Sequence, residues 1–180
     1  AVASATSSTP AARKPATPPD RAWSLLRNRL CALTSVSGGF AFTCGVEWLA
    51  TEKIDVHGST GLAWQSRDNL VPELARLNRL LTEHPCFFDG AKLTRLSPAA
   101  SPVYALLRES AEGKDRLVVL VNTDDQSEQQ WTLDENPALA AAGEWKSDLL
   151  GQTLPAMDSK VAGRLRITLP PGAVYCLAAS

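Results

Sequence analysis

Neither positive nor negative charge predominates in the sequence, and the sequence has no long apolar run. Its 18 Lys and Arg residues stand against 19 Asp and Glu residues, for a net charge of -1, and the basic residues do not cluster. The chain therefore has no basic patch that would attract nucleic acid or an anionic membrane surface. No apolar run approaches the roughly 20 residues that span a bilayer. We expect neither a nucleic-acid partner nor a membrane partner.

Cysteine and histidine are scarce, with four and two residues respectively. The cysteines form no CxxC pair, and neither histidine lies near a pair of cysteines, which argues against a zinc site. Each cysteine lies in an apolar stretch, so we expect four buried thiols that act as small hydrophobic side chains. One or two disulfides are the alternative. The cysteines are Cys31, Cys44, Cys86 and Cys176. This pattern favours a reducing cytoplasm, and the sequence predicts no metal and no cofactor.

The first 19 residues lack large apolar side chains and are rich in Ala, Ser, Thr and Pro. Such a segment cannot bury enough surface to offset the entropy of ordering it, so we expect residues 1–19 to be disordered. The segment also lacks the charged start and the apolar stretch of a secretory signal. Phosphate-binding loops, nucleophile elbows and dinucleotide fingerprints are absent from the whole sequence.

Two helical patterns are present. The first follows Asp20, a residue able to cap a helix, and its apolar stripe has spacings of three and four. The second covers residues 70–83, with Asn69 as its cap, Pro72 in its first turn and a His-Pro pair as its stop. The stripes are Trp23, Leu26, Leu30 and Leu33 in the first helix, and Leu70, Leu74, Leu77 and Leu81 in the second.

A short apolar segment and an irregular loop separate the two helices. Residues 40–46 are apolar, nearly uncharged and preceded by a Gly-Gly pair. This composition predicts a strand buried on both faces, as in a parallel sheet. Residues 51–67 have no regular period and contain two glycines, Gly58 and Gly61, which is typical of a loop that carries function.

The period changes from helical to alternating near residue 89. Turn signals separate seven short apolar segments, and this spacing predicts an antiparallel β-sandwich. The predicted strands are 92–96, 103–108, 116–122, 129–133, 145–149, 164–169 and 173–177. Trp131 and Trp145 alternate with apolar neighbours on these strands, so core positions are expected for both.

Residues 39–48, GFAFTCGVEW, resemble the eighth-strand motif of glycoside hydrolase family 13, the α-amylase family, matched by Gly39, Gly45 and Glu47. The following TEKIDVH at 51–57 resembles the next loop in bacterial α-glucan enzymes, among them maltosyltransferases. The LNRLLTEHP sequence at 77–85 is similar to the last helix of the family's barrel. The resemblance implies the end of a (β/α)8 barrel over residues 20–88.

The second half of the chain resembles the C-terminal β-sandwich of the same family. LVVLVN at 117–122 is similar to a family strand that ends in asparagine, and WKSDLLG at 145–151 is similar to an aspartate-leucine-leucine turn. LPPGAVYCL at 169–177 resembles the closing strand. The fold implied is an α+β fragment, in which a helix, strand eight and a second helix precede an antiparallel β-sandwich over residues 89–180.

The resemblance also implies what this chain does not contain. Retaining glycosidases use two carboxylates about 5 Å apart, and in this family they follow barrel strands four and five, with a third carboxylate after strand seven. This chain matches the family only from the helix before strand eight. No catalytic residue is therefore assigned, and we expect the chain to be inactive alone.

Residues near the predicted barrel mouth are the candidates for contact with sugar. By the resemblance, Glu52 and Lys53 lie beside a donor sugar; a solvated loop pair is the alternative. Trp48 and Trp64 flank the loop and have ring faces that suit sugars, although packing between barrel and sandwich is favoured for both. Glu47 and Asp55 are expected to be structural residues at the barrel end.

The predicted function is therefore the C-terminal part of an α-glucan-active hydrolase or transglycosylase. Its partners would be an α-glucan or maltooligosaccharide and the missing barrel portion of the parent enzyme. The alternative is a stand-alone, non-catalytic β-sandwich module that binds a glucan or a protein. Function depends on the site rather than on the fold, so the residues of the site decide between the two.

Overall fold

The computed structural model describes residues 21–36, 39–52, 57–58, 61, 64–133, 145–161 and 164–179. These residues form a mixed α+β structure with two α-helices and eight strands. The segment predicted to be disordered, residues 1–19, lies outside the described residues.

The helical elements all precede the strands. Helices α1 and α2 cover Arg21–Thr34 and Val71–Glu83, and short 3-10 turns cover Val46–Trp48 and Pro85–Phe87. The strands are β1 Lys92–Arg95, β2 Val103–Glu109, β3 Arg116–Asn122, β4 Gln129–Leu133, β5 Trp145–Asp148, β6 Ala156–Val161, β7 Arg164–Leu169 and β8 Val174–Ala179. The predicted change from helical to alternating period near residue 89 is confirmed.

The strands form two antiparallel sheets. One has five strands in the order β1-β2-β3-β8-β5, and the other has three in the order β4-β7-β6. Val118 and Leu120 of β3 face a cluster that includes Trp131 and Ile167 from the smaller sheet. The two sheets therefore pack face to face, in an arrangement compatible with the predicted β-sandwich.

The helices cover the opposite face of the five-stranded sheet. Val119 and Val121 of β3 join a second core cluster with Leu33 of α1 and Leu77 of α2. Because successive side chains of a strand point to opposite faces, one apolar strand contributes to both clusters. The molecule thus has three layers: helices, five-stranded sheet and three-stranded sheet.

The predicted leucine stripes differ in how well they are buried. All four leucines of the α2 stripe are buried, as predicted, and Asn69 accepts a hydrogen bond from the Val71 N–H at 3.1 Å. In α1, Leu26 and Leu33 are buried but Trp23 is 43% exposed. The Arg27 guanidinium lies 5.9 Å from the Trp23 ring centroid. The Trp23 ring therefore packs against a cation on the surface rather than against core side chains.

The prediction of a strand over residues 40–46 is wrong. Residues 40–43 have no regular structure, and residues 44–45 form a turn that runs into the 3-10 turn. Within the described ranges, no strand pairs with this segment, so its backbone closes on itself instead. The Val46 N–H donates to the Thr43 carbonyl at 3.2 Å, and the Ala50 N–H donates to that of Gly45 at 3.0 Å.

Strand β6 was not predicted from the sequence. Its residues, AMDSKV, lack the alternation of large apolar side chains that marks the other strands. Its neighbour β7 supplies the pairing, with Met157 opposite Ile167 and Asp158 opposite Arg166. The strand therefore depends on backbone pairing with β7, which local sequence does not reveal.

Candidate functional site

Glu47 and Trp48 lie on the 3-10 turn between the helices. One carboxylate oxygen of Glu47 accepts a hydrogen bond from the Gly45 N–H at 2.8 Å. The Glu47 carbonyl accepts another from the Leu70 N–H at 2.7 Å, which ties the turn to the start of α2. Glu47 therefore bonds within its own turn, whereas Trp48 is half-buried.

The other candidates for sugar contact are not brought together. Glu52 is exposed and Trp64 is 53% exposed. Across the described ranges, no hydrogen bond or ring contact joins the side chains of Trp48, Glu52 and Trp64. Lys53 and Asp55 lie outside the described residues. The predicted donor-sugar contact of Glu52 and Lys53 therefore stays a prediction.

The tryptophans of the sandwich are core residues. Trp131 of β4 is 9% exposed and Trp145 of β5 is 8% exposed, and both belong to the cluster between the two sheets. Neither ring presents a free face for stacking on a sugar. The expectation that they occupy core positions is confirmed.

Asn122, the last residue of β3, holds three chain segments together. Its fully buried side-chain amide donates hydrogen bonds to the carbonyl oxygens of Ser127, Leu169 and Pro170, at 2.8, 3.2 and 2.9 Å. Its side-chain oxygen accepts one from the Asp124 N–H at 3.0 Å. The asparagine of the LVVLVN motif thus fixes the end of β7 against the loop that follows β3.

Asp148 has the same kind of role at the end of β5. Its buried carboxylate accepts hydrogen bonds from the Cys176 N–H at 2.8 Å and from the Gln152 N–H and side-chain amide at 3.1 and 2.9 Å. The turn from 148 to 152 is thereby fastened to β8. The aspartate of the WKSDLLG motif is a structural anchor.

Arg108 is a further buried polar residue, and the sequence reasoning missed it. It is fully buried, and its guanidinium donates to the carbonyl oxygens of Cys86, Leu33 and Ser35 at 2.9, 3.0 and 2.8 Å. The guanidinium also lies 4.3 Å from the centroid of the Phe87 ring. Burial lowers the pKa of Arg108 below its usual value. The sequence did contain a signal, because Arg108 is a basic residue at an inward-facing position of an otherwise apolar strand.

A cleft of about 540 Å³ lies between α1 and the segment that failed to form a strand. Its lining includes Arg27, Asn28 and Cys31 from α1, with Phe40 and Val46 opposite. The lining mixes a cation, an amide and a thiol with two apolar side chains, and it contains no carboxylate. The cleft therefore lacks the acid/base pair of a glycosidase.

Two of the four thiols contradict the prediction that all are buried. All four cysteines are free, but Cys31 and Cys44 are exposed, whereas Cys86 and Cys176 are buried. Cys31 lies on the side of α1 that lines the cleft, and Cys44 lies in the turn that replaces the predicted strand. Burial raises the pKa of the Cys86 thiol to about 12, and it raises that of the Cys176 thiol as well.

We expect two thiols to react rapidly with a disulfide reagent such as DTNB at pH 8, and four in denaturant. The thiolate is the reacting form, and burial disfavours it at the other two positions. The matched control is the double variant Cys31→Ser/Cys44→Ser, for which the native protein should show no rapid reaction. Fast labelling of three or four thiols in the native protein would contradict the burial described above.

Neither metal chemistry nor a membrane span is indicated by the part of the chain that the structure describes. No group of three His, Cys, Asp or Glu side chains there could hold a metal ion. No helix there is long and apolar enough to cross a bilayer.

Comparisons with known proteins add no functional assignment. No model of a known protein family matches the chain, and no curated protein matches it. The functional argument therefore depends on the residues themselves.

Proposed function

We propose that this chain is the C-terminal part of an α-glucan-active hydrolase or transglycosylase of the α-amylase family. In this proposal the two helices belong to the end of the enzyme's (β/α)8 barrel, and the strands form its C-terminal β-sandwich. The chain buttresses the barrel and is inactive alone. The four free thiols favour a reducing compartment, and we propose the cytoplasm.

The observation that carries the proposal is the role of the residues in the resembling motifs. Asn122 and Asp148 are buried side chains that fasten strand ends, and Gly172 occupies a turn with a φ of 62°. Residues with such roles belong to a scaffold rather than to a catalytic site. This supports a resemblance at the level of the sandwich framework.

Substrate turnover tests the proposal. We expect the purified 180-residue chain to leave maltooligosaccharides unchanged, because the described residues hold no pair of facing carboxylates in a cleft. The larger protein that contains this sequence in its source should hydrolyse or transfer the same sugars. If the short chain still turned over these sugars after repurification, the proposal that it is inactive alone would be refuted.

The alternative, a stand-alone glucan-binding module, loses its main support because Trp131 and Trp145 are buried. Trp64 is the exposed aromatic residue nearest the predicted loop. A titration of tryptophan fluorescence with maltoheptaose should accordingly be flat at millimolar sugar for the short chain. A saturable change that the Trp64→Ala variant abolishes would favour the binding module instead.

A further inference from the structure

The turn between β5 and β6 lies against both helices through two arginines. The Arg76 guanidinium donates one hydrogen bond to the Leu150 carbonyl at 3.0 Å. The Arg29 guanidinium donates one to the side-chain oxygen of Gln152 at 3.0 Å. Arg29 comes from α1 and Arg76 from α2, so the turn brings together guanidinium groups from two different helices.

Both arginines have guanidinium N–H groups that make no hydrogen bond with the described residues. A guanidinium has five N–H donors, and each of these two makes a single hydrogen bond among the described residues. The ion pairs within the described ranges involve neither of them. The nearby Glu73 carboxylate is bound by Arg21, and Asp148 is bound by Cys176 and Gln152. Asp148 and one oxygen of Glu73 are therefore already engaged, and the remaining oxygen, Glu73 Oε2, is buried without a hydrogen-bond partner.

A cavity of about 270 Å³ lies between these two arginines. It is lined by Arg29, Pro72, Glu73, Arg76, Leu150 and Gly151. Gly151 lets the Arg76 side chain lie directly on the turn, since a Cβ at this position would come within 1.4 Å of the Arg76 Nη1 atom. Its φ of 76° is also one that side chains rarely adopt. The absence of a side chain at 151 thus sets the position of one guanidinium.

We propose that this cavity, the Arg29–Arg76 cavity, binds a phosphate-type oxyanion, either free or as the phosphate group of an ester. Two guanidinium groups from different elements can each present paired N–H donors to phosphate oxygens. The turn holds one guanidinium through Leu150 and the other through Gln152, so little side-chain freedom is lost on binding. None of the six lining residues belongs to the loop proposed to face the glucan.

Thermal unfolding of the full chain in inorganic phosphate tests the site. At constant ionic strength, replacing chloride by 20 mM phosphate should raise the unfolding midpoint through preferential binding to the folded state. The Arg29→Gln and Arg76→Gln variants should each raise the dissociation constant for phosphate at least tenfold. Arg95→Gln is the control, because Arg95 is exposed on β1 and contacts Tyr104 and Pro98 instead.

The Gly151→Ala variant separates a built site from general attraction to positive charge. It keeps both arginines but displaces the Arg76 guanidinium, so we expect the same loss of phosphate binding with no change in net charge. Tighter binding of glucose 1-phosphate than of phosphate would identify an ester as the ligand, and equal binding would identify the free anion. No midpoint shift with phosphate, or an equal shift in the wild type and all three variants, would overturn the proposal.

Discussion

Replacing Arg108 by methionine is expected to destabilise the protein by about 4 kcal/mol. The substitution removes the donors that bind the carbonyl oxygens of Leu33, Ser35 and Cys86, of which the Leu33 and Cys86 bonds are buried and the Ser35 bond is partly buried. A buried group without its partner costs about 1–3 kcal/mol, and methionine recovers part of the loss by filling the space. The free energy of unfolding in urea, measured by far-ultraviolet circular dichroism, gives the value.

Arg95→Met is the matched control for this variant. Arg95 also lies beside an aromatic ring, 4.6 Å from the Tyr104 centroid, but it is exposed. Exposed cation–π contacts contribute about 0.5–1 kcal/mol, so a loss below about 1 kcal/mol is expected. If the two methionine variants were equally stable, Arg108 would not be the link between the helices and β2 that its contacts indicate.

The Asn122→Asp variant is expected to lose about 4 kcal/mol of stability at pH 8. The change is nearly isosteric, yet a carboxylate cannot donate to the carbonyl oxygens of Ser127, Leu169 and Pro170. It also places a charge at a fully buried position, which is costly without donors. The same urea titration at pH 8 and at pH 5 measures the loss.

The loss should be smaller at pH 5 than at pH 8. Burial favours the protonated form of the introduced carboxyl, so its pKa in the folded state should lie above its unfolded value, and stability then falls as pH rises. Asn78→Asp is the control, because Asn78 is exposed on α2 and should change stability by less than about 0.5 kcal/mol. A loss at position 122 no greater than at position 78 would contradict the role assigned to Asn122.

The elements that the sequence predicted well are those whose pattern is local. The α2 stripe from Leu70 to Leu81 has a helical period and is buried throughout, and the alternation in β3 supplies side chains to both core clusters. The strand predicted at 40–46 failed because a strand also needs a neighbour. Strand β6 was missed for the converse reason, since its neighbour β7 compensates for a weak pattern.

The buried polar anchors were harder to predict than the fold. Arg108, Asn122 and Asp148 bond to backbone groups far away in the chain, with sequence separations of 28 to 75 residues for their longest contacts. Such separations are not visible in a local motif. The Arg29–Arg76 cavity likewise depends on α1, α2 and the 148–152 turn meeting in space. In contrast, Glu47 was expected to be structural, and the hydrogen bond that it accepts from Gly45 gives it a role within its own turn.

Three polar side chains link the helices and turns to the strands. Arg108 joins α1 and the turn before β1 to β2, and Asp148 joins the turn after β5 to β8. Arg76 then joins that turn to α2. A barrel end packed on a sandwich would require such links between its layers, which is consistent with the proposed role as a buttress.

The size of the native protein that carries this sequence is the measurement to make first. The tryptic peptide of residues 117–146 can be followed by mass spectrometry across a size-separated lysate of the source. The proposal predicts that the peptide is found in a protein several times larger than the 19.3 kDa of this chain, in a fraction that converts maltooligosaccharides. Recovery of the peptide only at 19.3 kDa would contradict the proposal that the chain is part of a larger α-glucan enzyme.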